Sequence, residues 1–152
     1  MASCEEAGVT EHRGIDVLLD VSPTVDVPRS PSRMNRVFVN LTVNAMEAMP
    51  GGGAIRISAI ETVDRVRIEV EDNGPGIPPE IRDRLFVPFV TARKKHGLGV
   101  GLMLCRRTVR ELGGDLYLEP AAGARFVISF PRRVSGPADR SGERGDEHGN
   151  SL

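Results

Sequence analysis

The 152 residues include no Trp, one Tyr and two Cys. No apolar run approaches the ~20 residues that a membrane span needs, which excludes a spanning helix. Cys4 and Cys105 have no metal-ligand spacing. One pair cannot staple a small fold, so a reducing cytosol is the expected setting. The opening MASCEEAGVTEHRG has neither a basic start nor an apolar stretch, and so is not expected to be a signal peptide. Neither sign of charge dominates: 20 basic residues face 21 acidic ones, for a net charge of −1. That excludes the electrostatic profile of a general nucleic-acid or anionic-membrane binder. What the chain has in excess is glycine, 17 residues, about 11% against a usual ~7%. With 39% hydrophobic and 27% charged residues, the composition is globular, and the length suits one domain.

Residues 1–13 carry no apolar pattern and are expected to be a flexible end. From Gly14, the residues Ile15, Val17, Leu19 and Val21 alternate with Asp16 and Asp20, the pattern of a half-buried strand. Pro23, Pro28 and Pro31 mark a loop, and Ser32 is the expected N-cap of a helix reaching about Met49. Pro50 and Gly51-Gly52-Gly53 stop it. Strands follow at about 54–60 and 65–71, then the turn-rich DNGPGIPP and a short helix near 79–85. Residues 86–97 read as a loop with a basic run, Arg93-Lys94-Lys95-His96. A further helix is expected from near Leu98 to Gly113-Gly114, with closing strands at 115–119 and 124–130. The tail from 132 to 152 has almost no apolar content and is expected to be disordered. The pattern predicts one domain over 14–131, an α/β sandwich with a mixed sheet and helices on one face.

Three stretches carry chemistry. On the first helix, Met34, Val37, Phe38, Leu41, Ala45 and Ala48 form an apolar arc at 100° per residue, and Asn40 and Asn44 lie four apart at its edge. Asn is a poor mid-helix residue because its amide competes with the backbone. Two so placed are either a polar edge that bonds a loop, or neutral oxygen donors for a hard cation or a phosphate. In VRIEVEDNGPGIP, strand parity puts Val66, Ile68 and Val70 on one face and carries Asp72 onto that same apolar side. A carboxylate there is costly unless it accepts hydrogen bonds, and the exocyclic amine of adenine is one fitting donor. Gly74 and Gly76 let the backbone come close to a flat ring, although Asp-Asn-Gly-Pro-Gly is also an excellent plain turn. In the third stretch, Gly97, Gly99 and Gly101 alternate ahead of an amphipathic helix. Such a turn offers free N–H groups and the positive dipole end to phosphate. Neither a Rossmann fingerprint nor a Walker loop fits these glycines.

In their order along the chain, NLTVNAMEAM, DNGPGI, the pair Phe86 and Phe89, and GLGVGL resemble the N box, first glycine box, F box and second glycine box of the ATP-binding catalytic domain of bacterial sensor histidine kinases. That domain belongs to the GHKL superfamily, with the gyrase, Hsp90 and MutL ATPases. The likeness covers about residues 14–131. It implies the Bergerat-type two-layer sandwich: a mixed, mostly antiparallel sheet of about five strands with three helices on one face. ATP would lie between helices and sheet beneath a flexible lid at roughly 87–99. The resemblance implies Asn44 as the Mg²⁺ ligand, Asn40 at the phosphates and Asp72 on the adenine amine. Gly74, Gly76 and Ile77 would line the ring, with Phe89, Gly97, Leu98, Gly99, Val100, Gly101 and Leu102 around the nucleotide. Lys94, with Lys95, would bring a lid cation to the phosphates, and Asn40, Asn44 and Lys94 would serve catalysis.

Hsp90- and MutL-like relatives place a Glu four residues before the metal-binding Asn to activate water. Here that position is Asn40, which is no general base. Transfer to a protein nucleophile is therefore the expected reaction. His12, His96 and His148 all lack the family's H-E/D-x-x-x-P context. The acceptor is expected outside this chain, on a histidine-bearing helical dimerisation domain of the same or another protein, with a cognate response regulator downstream. The expected location is the cytoplasm. Two alternatives share the fold: a free-standing Ser kinase resembling anti-sigma factors, and a nucleotide-binding docking module without transfer. Away from the boxes, Cys105 is expected in the core and Arg106, Arg107 and Arg110 on a solvated helix face. Val39, Val43 and Met46 are expected opposite the core arc.

Overall fold

A computed structural model describes residues 14–21, 30–87 and 100–132 of the chain. The elements run β1 (Ile15–Asp20), α1 (Pro31–Ala48), β2 (Gly53–Glu61), β3 (Arg65–Asp72), α2 (Pro79–Arg82), α3 (Gly101–Glu111), β4 (Asp115–Glu119) and β5 (Arg125–Pro131). They build a five-stranded sheet in the order β1-β2-β3-β5-β4. Only β1 and β2 pair in parallel; the other three pairings are antiparallel. The expected α/β sandwich with a mixed sheet is the architecture observed.

Helix α1 lays Met34, Val37, Leu41 and Ala45 on the sheet, the one-face spacing of an amphipathic helix. Its N-cap is Ser30, two residues before the expected Ser32, and Pro31 is the first helical residue. The fixed φ of proline and its missing N–H suit that position. The Ser30 side chain makes no capping bond; its carbonyl accepts the N–H groups of Arg33 and Met34 at 3.1 Å each. Met46 packs against the core instead of facing away from it, whereas Val39 and Val43 are exposed as expected. Cys105 and Val109 of α3 are buried against the same core, and α1 and α3 run antiparallel, tied at one end by the Arg33–Glu111 ion pair.

Other boundaries shift slightly. The short helix stops at Arg82 and passes into turns, β5 runs one residue later than predicted, and α3 starts at Gly101. The predicted start near Leu98 lies outside the described residues, as do residues 1–13 and the tail. On β1 the alternation decays along this edge strand: Ile15 is buried, but Leu19 and Val21 are exposed.

The opposite sheet face has no helix over it among the described residues, yet Val127 there is fully buried. Parity sends Phe126, Ile128 and Phe130 into the helix-side core and Val127 the other way, between Glu69 and Tyr117. Its cover is a lattice of charged side chains. Arg67 pairs with Glu69 at 2.7 Å and with Glu119 diagonally across the strands. Arg125 pairs with Glu71 at 3.0 Å. The hydrogen bond from Arg67 holds the Glu119 carboxyl below its ordinary value, and the bonds to Glu119 and Glu69 hold the Arg67 guanidinium above its own. A carboxyl depressed in the folded state adds stability above its usual value of 4.5 and loses it as pH falls through the lowered one. Arg67→Ala is therefore expected to lower the melting temperature at pH 7 by several degrees, from ~1 kcal/mol of uncovered apolar surface. The wild-type advantage should shrink as the pH drops below 4.5. Melts of both proteins from pH 7 to 3 check this: coincident curves would show that the lattice contributes nothing, and a constant offset that its charges contribute nothing.

Candidate functional site

Asp72 is the last residue of β3, and the parity that buries Val66, Ile68 and Val70 buries it too. A carboxylate only 6% exposed must be hydrogen-bonded. Its Oδ1 accepts the N–H of Gly74 at 3.0 Å and of Ala124 at 3.2 Å. Both bonds fall on Oδ1, so neither engages the second oxygen. The Asp72 backbone N–H donates to the Ala124 carbonyl at 2.9 Å. This pair of hydrogen bonds to Ala124, the residue just before β5, is possible because Gly123 has no side chain. A Cβ there would stand 2.0 Å from the Asp72 carbonyl oxygen.

The turn after Asp72 closes on the same place. Gly76 has φ +78, and a Cβ on it would touch the carbonyls of Ala122 and Gly123 at 3.4 Å. Gly74 sits against Met49 Cγ and Asp72 Oδ1, 3.0 and 3.1 Å from where its Cβ would be. Ile77 is half-buried and packs on the core edge. With Phe86, Leu118 and Gly123 it also lines a cleft of 340 Å³ beside the β4–β5 turn.

Asn40 and Asn44 follow one another along α1, Asn40 exposed and Asn44 half-buried. The position a Cβ would take on Gly101 lies 3.9 Å from Asn40 Oδ1, so the first residue of α3 faces the first asparagine. The opening N–H groups of a helix have no partner within it and form its positive end. Val100 is the N-cap there and Leu102 packs inward. Asn40 thus lies beside the α3 N-terminus with Asn44 one turn further along α1, and Met49, the C-cap of α1, packs close to Gly74. Two groups suited to a ligand flank α1: the buried Asp72 carboxylate near its C-terminal end through Gly74 and Met49, and the α3 N-terminus beside Asn40.

This architecture is that of a known domain family. The family model described as histidine kinase-, DNA gyrase B- and HSP90-like ATPase matches residues 29–134. The chain belongs to this family. Among curated relatives of this ATPase-family chain, the adaptive-response sensory kinase SasA of Synechococcus sp. (strain CC9311) is 35% identical over 128 residues, 78% of this chain and 33% of that protein. The alginate biosynthesis sensor protein KinB of Pseudomonas aeruginosa is 43% identical over 102 residues, 65% of this chain and 17% of that protein. The chain therefore spans a third or less of these relatives. Among solved structures, the catalytic domain of histidine kinase ThkA superposes with a TM-score of 0.69 at 30% identity, covering 78% of this chain and 81% of that one. ThkA in complex with response regulator protein TrrA superposes with a TM-score of 0.65 at 30% identity, covering 78% of this chain and 34% of that one. The fold and these relatives are those of the ATP-binding catalytic domain of sensor histidine kinases.

Within this ATPase-family domain the structure brings Asp72, Gly74 and Gly76 together, and Asn40 with Gly101. Phe89, Lys94, Lys95, Gly97, Leu98 and Gly99 lie outside the described residues, as do His12, His96 and His148. The arginines of α3 are paired rather than free: Arg106 and Arg110 reach Asp115 at 3.2 and 2.9 Å, and Arg107 reaches Glu111 at 3.0 Å. Arg106 also lies over the Phe86 ring, 4.7 Å from its centroid, which fastens the F-box segment to α3. Sequence reasoning passed over Gly123 and Ala124, since Pro-Ala-Ala-Gly-Ala reads as an ordinary hairpin turn and its contact with Asp72 spans about fifty residues.

Proposed function

We propose that this chain is the catalytic module of a sensor histidine kinase. It binds Mg·ATP and delivers the γ-phosphoryl group to a histidine on a separate helical dimerisation domain. A cognate response regulator then takes the phosphoryl group on, and the work takes place in the cytoplasm. The observation that carries the reading is the Asn40–Gly101 juxtaposition, an amide and not a carboxylate beside the helix N-terminus. A carboxylate there would be a base for water; an amide can only position and solvate phosphate. The structure of ThkA with TrrA supports the choice of a response regulator as partner.

The residues fit the nucleotide. Asp72, with both described bonds on one oxygen, is suited to accept an adenine amine. The Gly74–Ile77 turn brings backbone and an apolar side chain beside the ring. The start of α3 faces where phosphates would lie. Mg²⁺ would be held by the Asn44 amide oxygen and the phosphates, the hard oxygen donors this ion takes. The metal would neutralise phosphate charge. The chain's part is positioning and electrostatic stabilisation, with Lys94 or Lys95 adding a cation.

Incubation with γ-labelled Mg·ATP and a separately supplied histidine-bearing helical domain tests this. The expected product is an acid-labile, base-stable phosphorylated partner. An acid-stable phosphoserine would make the chain a Ser kinase, and binding without transfer would make it a docking module; either result overturns the proposal.

A further inference from the structure

The register of β2 with β3 ends at the pair Ile55 and Asp72. At the next step the backbone has to leave the sheet for the Gly74–Gly76 turn, and a strand end of this kind frays unless something closes it. Asn73 closes it. Its backbone N–H donates to the Ala54 carbonyl at 3.2 Å, and its side-chain Oδ1 accepts the Ala54 N–H at 2.8 Å. The amide side chain takes the place of the backbone carbonyl that has turned away. Asn73 is exposed, so burial does not require this bond. The neighbours are shaped around it: a Cβ on Gly53 would stand 2.7 Å from Asn73 Oδ1 and 2.4 Å from Met49 Sδ. The Gly53 N–H donates in turn to the Gly14 carbonyl at 3.1 Å.

Asp72 is thus anchored on both flanks, to β5 through Ala124 and to β2 through the next residue. One of the two bonds on Asp72 Oδ1 comes from Gly74 N–H, one residue beyond Asn73, so the Asn73–Ala54 link and the carboxylate share one short stretch of backbone.

We infer that Asn73 is a positioning residue: its side-chain bond to Ala54 N–H sets the direction of the Asp72 carboxylate and with it the discrimination of adenine. The inference rests on the reading of Asp72 as the acceptor of the adenine amine. Guanine carries a carbonyl where adenine carries that amine, so a well-aimed carboxylate separates ATP from GTP, and a loosely held one does so less.

Calorimetric titration of ATP and of GTP into the full chain provides the test, with amide hydrogen exchange at Ala54 in the nucleotide-free protein. Asn73→Ala is expected to weaken ATP about ten-fold, to narrow the ATP-over-GTP ratio and to speed exchange at Ala54. Asn73→Asp keeps an acceptor oxygen in place and should hold ATP within about three-fold, with Ala54 still protected. Should Asn73→Ala melt below the assay temperature, Asn73→Gln keeps the polarity, displaces the oxygen and is expected to show the same loss. If Asp72→Asn loses ATP while Asn73→Ala binds both nucleotides as the wild type does, the positioning role is wrong. It is also wrong if Asn73→Ala weakens ATP and GTP equally, the mark of a merely structural residue. If Asp72→Asn itself leaves the ATP-over-GTP ratio unchanged, the reading of Asp72 falls first.

Discussion

Gly123→Ala is expected to cost this domain about 3–5 kcal/mol, above the usual ~1–3 kcal/mol of overpacking because the clash is with backbone, and to remove measurable adenine-nucleotide binding. The new methyl carbon would stand 2.0 Å from the Asp72 carbonyl oxygen, 2.8 Å from its carbon and 3.0 Å from Oδ1. None of these atoms is the free end of a flexible side chain. The obstruction is strand backbone and a carboxylate bonded on that side. The β4–β5 turn therefore has to move, and it carries the two bonds that fix Asp72, from Asp72 N–H to the Ala124 carbonyl and from Ala124 N–H to Asp72 Oδ1. Stability and binding should fall together, with the melting point down by more than ~10 °C for a fold of this size. Gly113→Ala is the contrasting variant. Gly113 has φ +93 but no atom within 4 Å of the added methyl, so only the backbone penalty of roughly 1 kcal/mol applies. Thermal melts and ATP titration of both variants decide the matter, and equal melting points would remove close approach as the reason for Gly123.

Gly123 also shows where a single sequence stops being legible. Local periodicities reach the structure almost intact. The alternation in VRIEVED buries Asp72 on the apolar face, and the α1 spacing buries Met34, Val37, Leu41 and Ala45. Both patterns are intrinsic to one element, so one element suffices to read them. Residues whose role is to face another element carry no such mark. Arg106 and Arg110 look like a solvated basic face until Asp115 of the following strand is placed beside them. Asn73 looks like turn chemistry until Ala54 of the neighbouring strand supplies its donor. Val127, on the helix-free face opposite Glu69 and Tyr117, is fully buried under arginines and glutamates from β3, β4 and β5, a cover that one strand alone does not reveal. The cap of α1 lies two residues before the expected Ser32 for a local reason: Pro31 takes the first helical position, which its fixed φ favours, and makes Ser30 the cap.

The same reasoning gives Asn44→Ala an unusual expected signature. Asn44 lies at the half-buried edge of α1 beside Ala45 of the buried stripe. Replacing a mid-helix Asn by Ala raises helix propensity by roughly 0.5 kcal/mol, so the melting temperature should hold or rise by a few degrees. Under the proposed reading, the same change removes the amide oxygen that holds Mg²⁺ with the phosphates, and phosphoryl transfer should fall by about 100-fold or more. ATP affinity measured with Mg²⁺ should drop to the value measured with a chelator present, and that chelator value should match wild type. Asn40→Ala, which alters the face toward Gly101, should weaken ATP with and without the metal alike. Titrations of both variants in Mg²⁺ and in chelator separate the two asparagines. Stability maintained or gained together with transfer lost is a combination that a purely structural residue does not produce, because a residue kept for packing loses both. If Asn44→Ala retains the full Mg²⁺-dependent increment in ATP affinity, the metal is held elsewhere and the proposed division of labour along α1 fails.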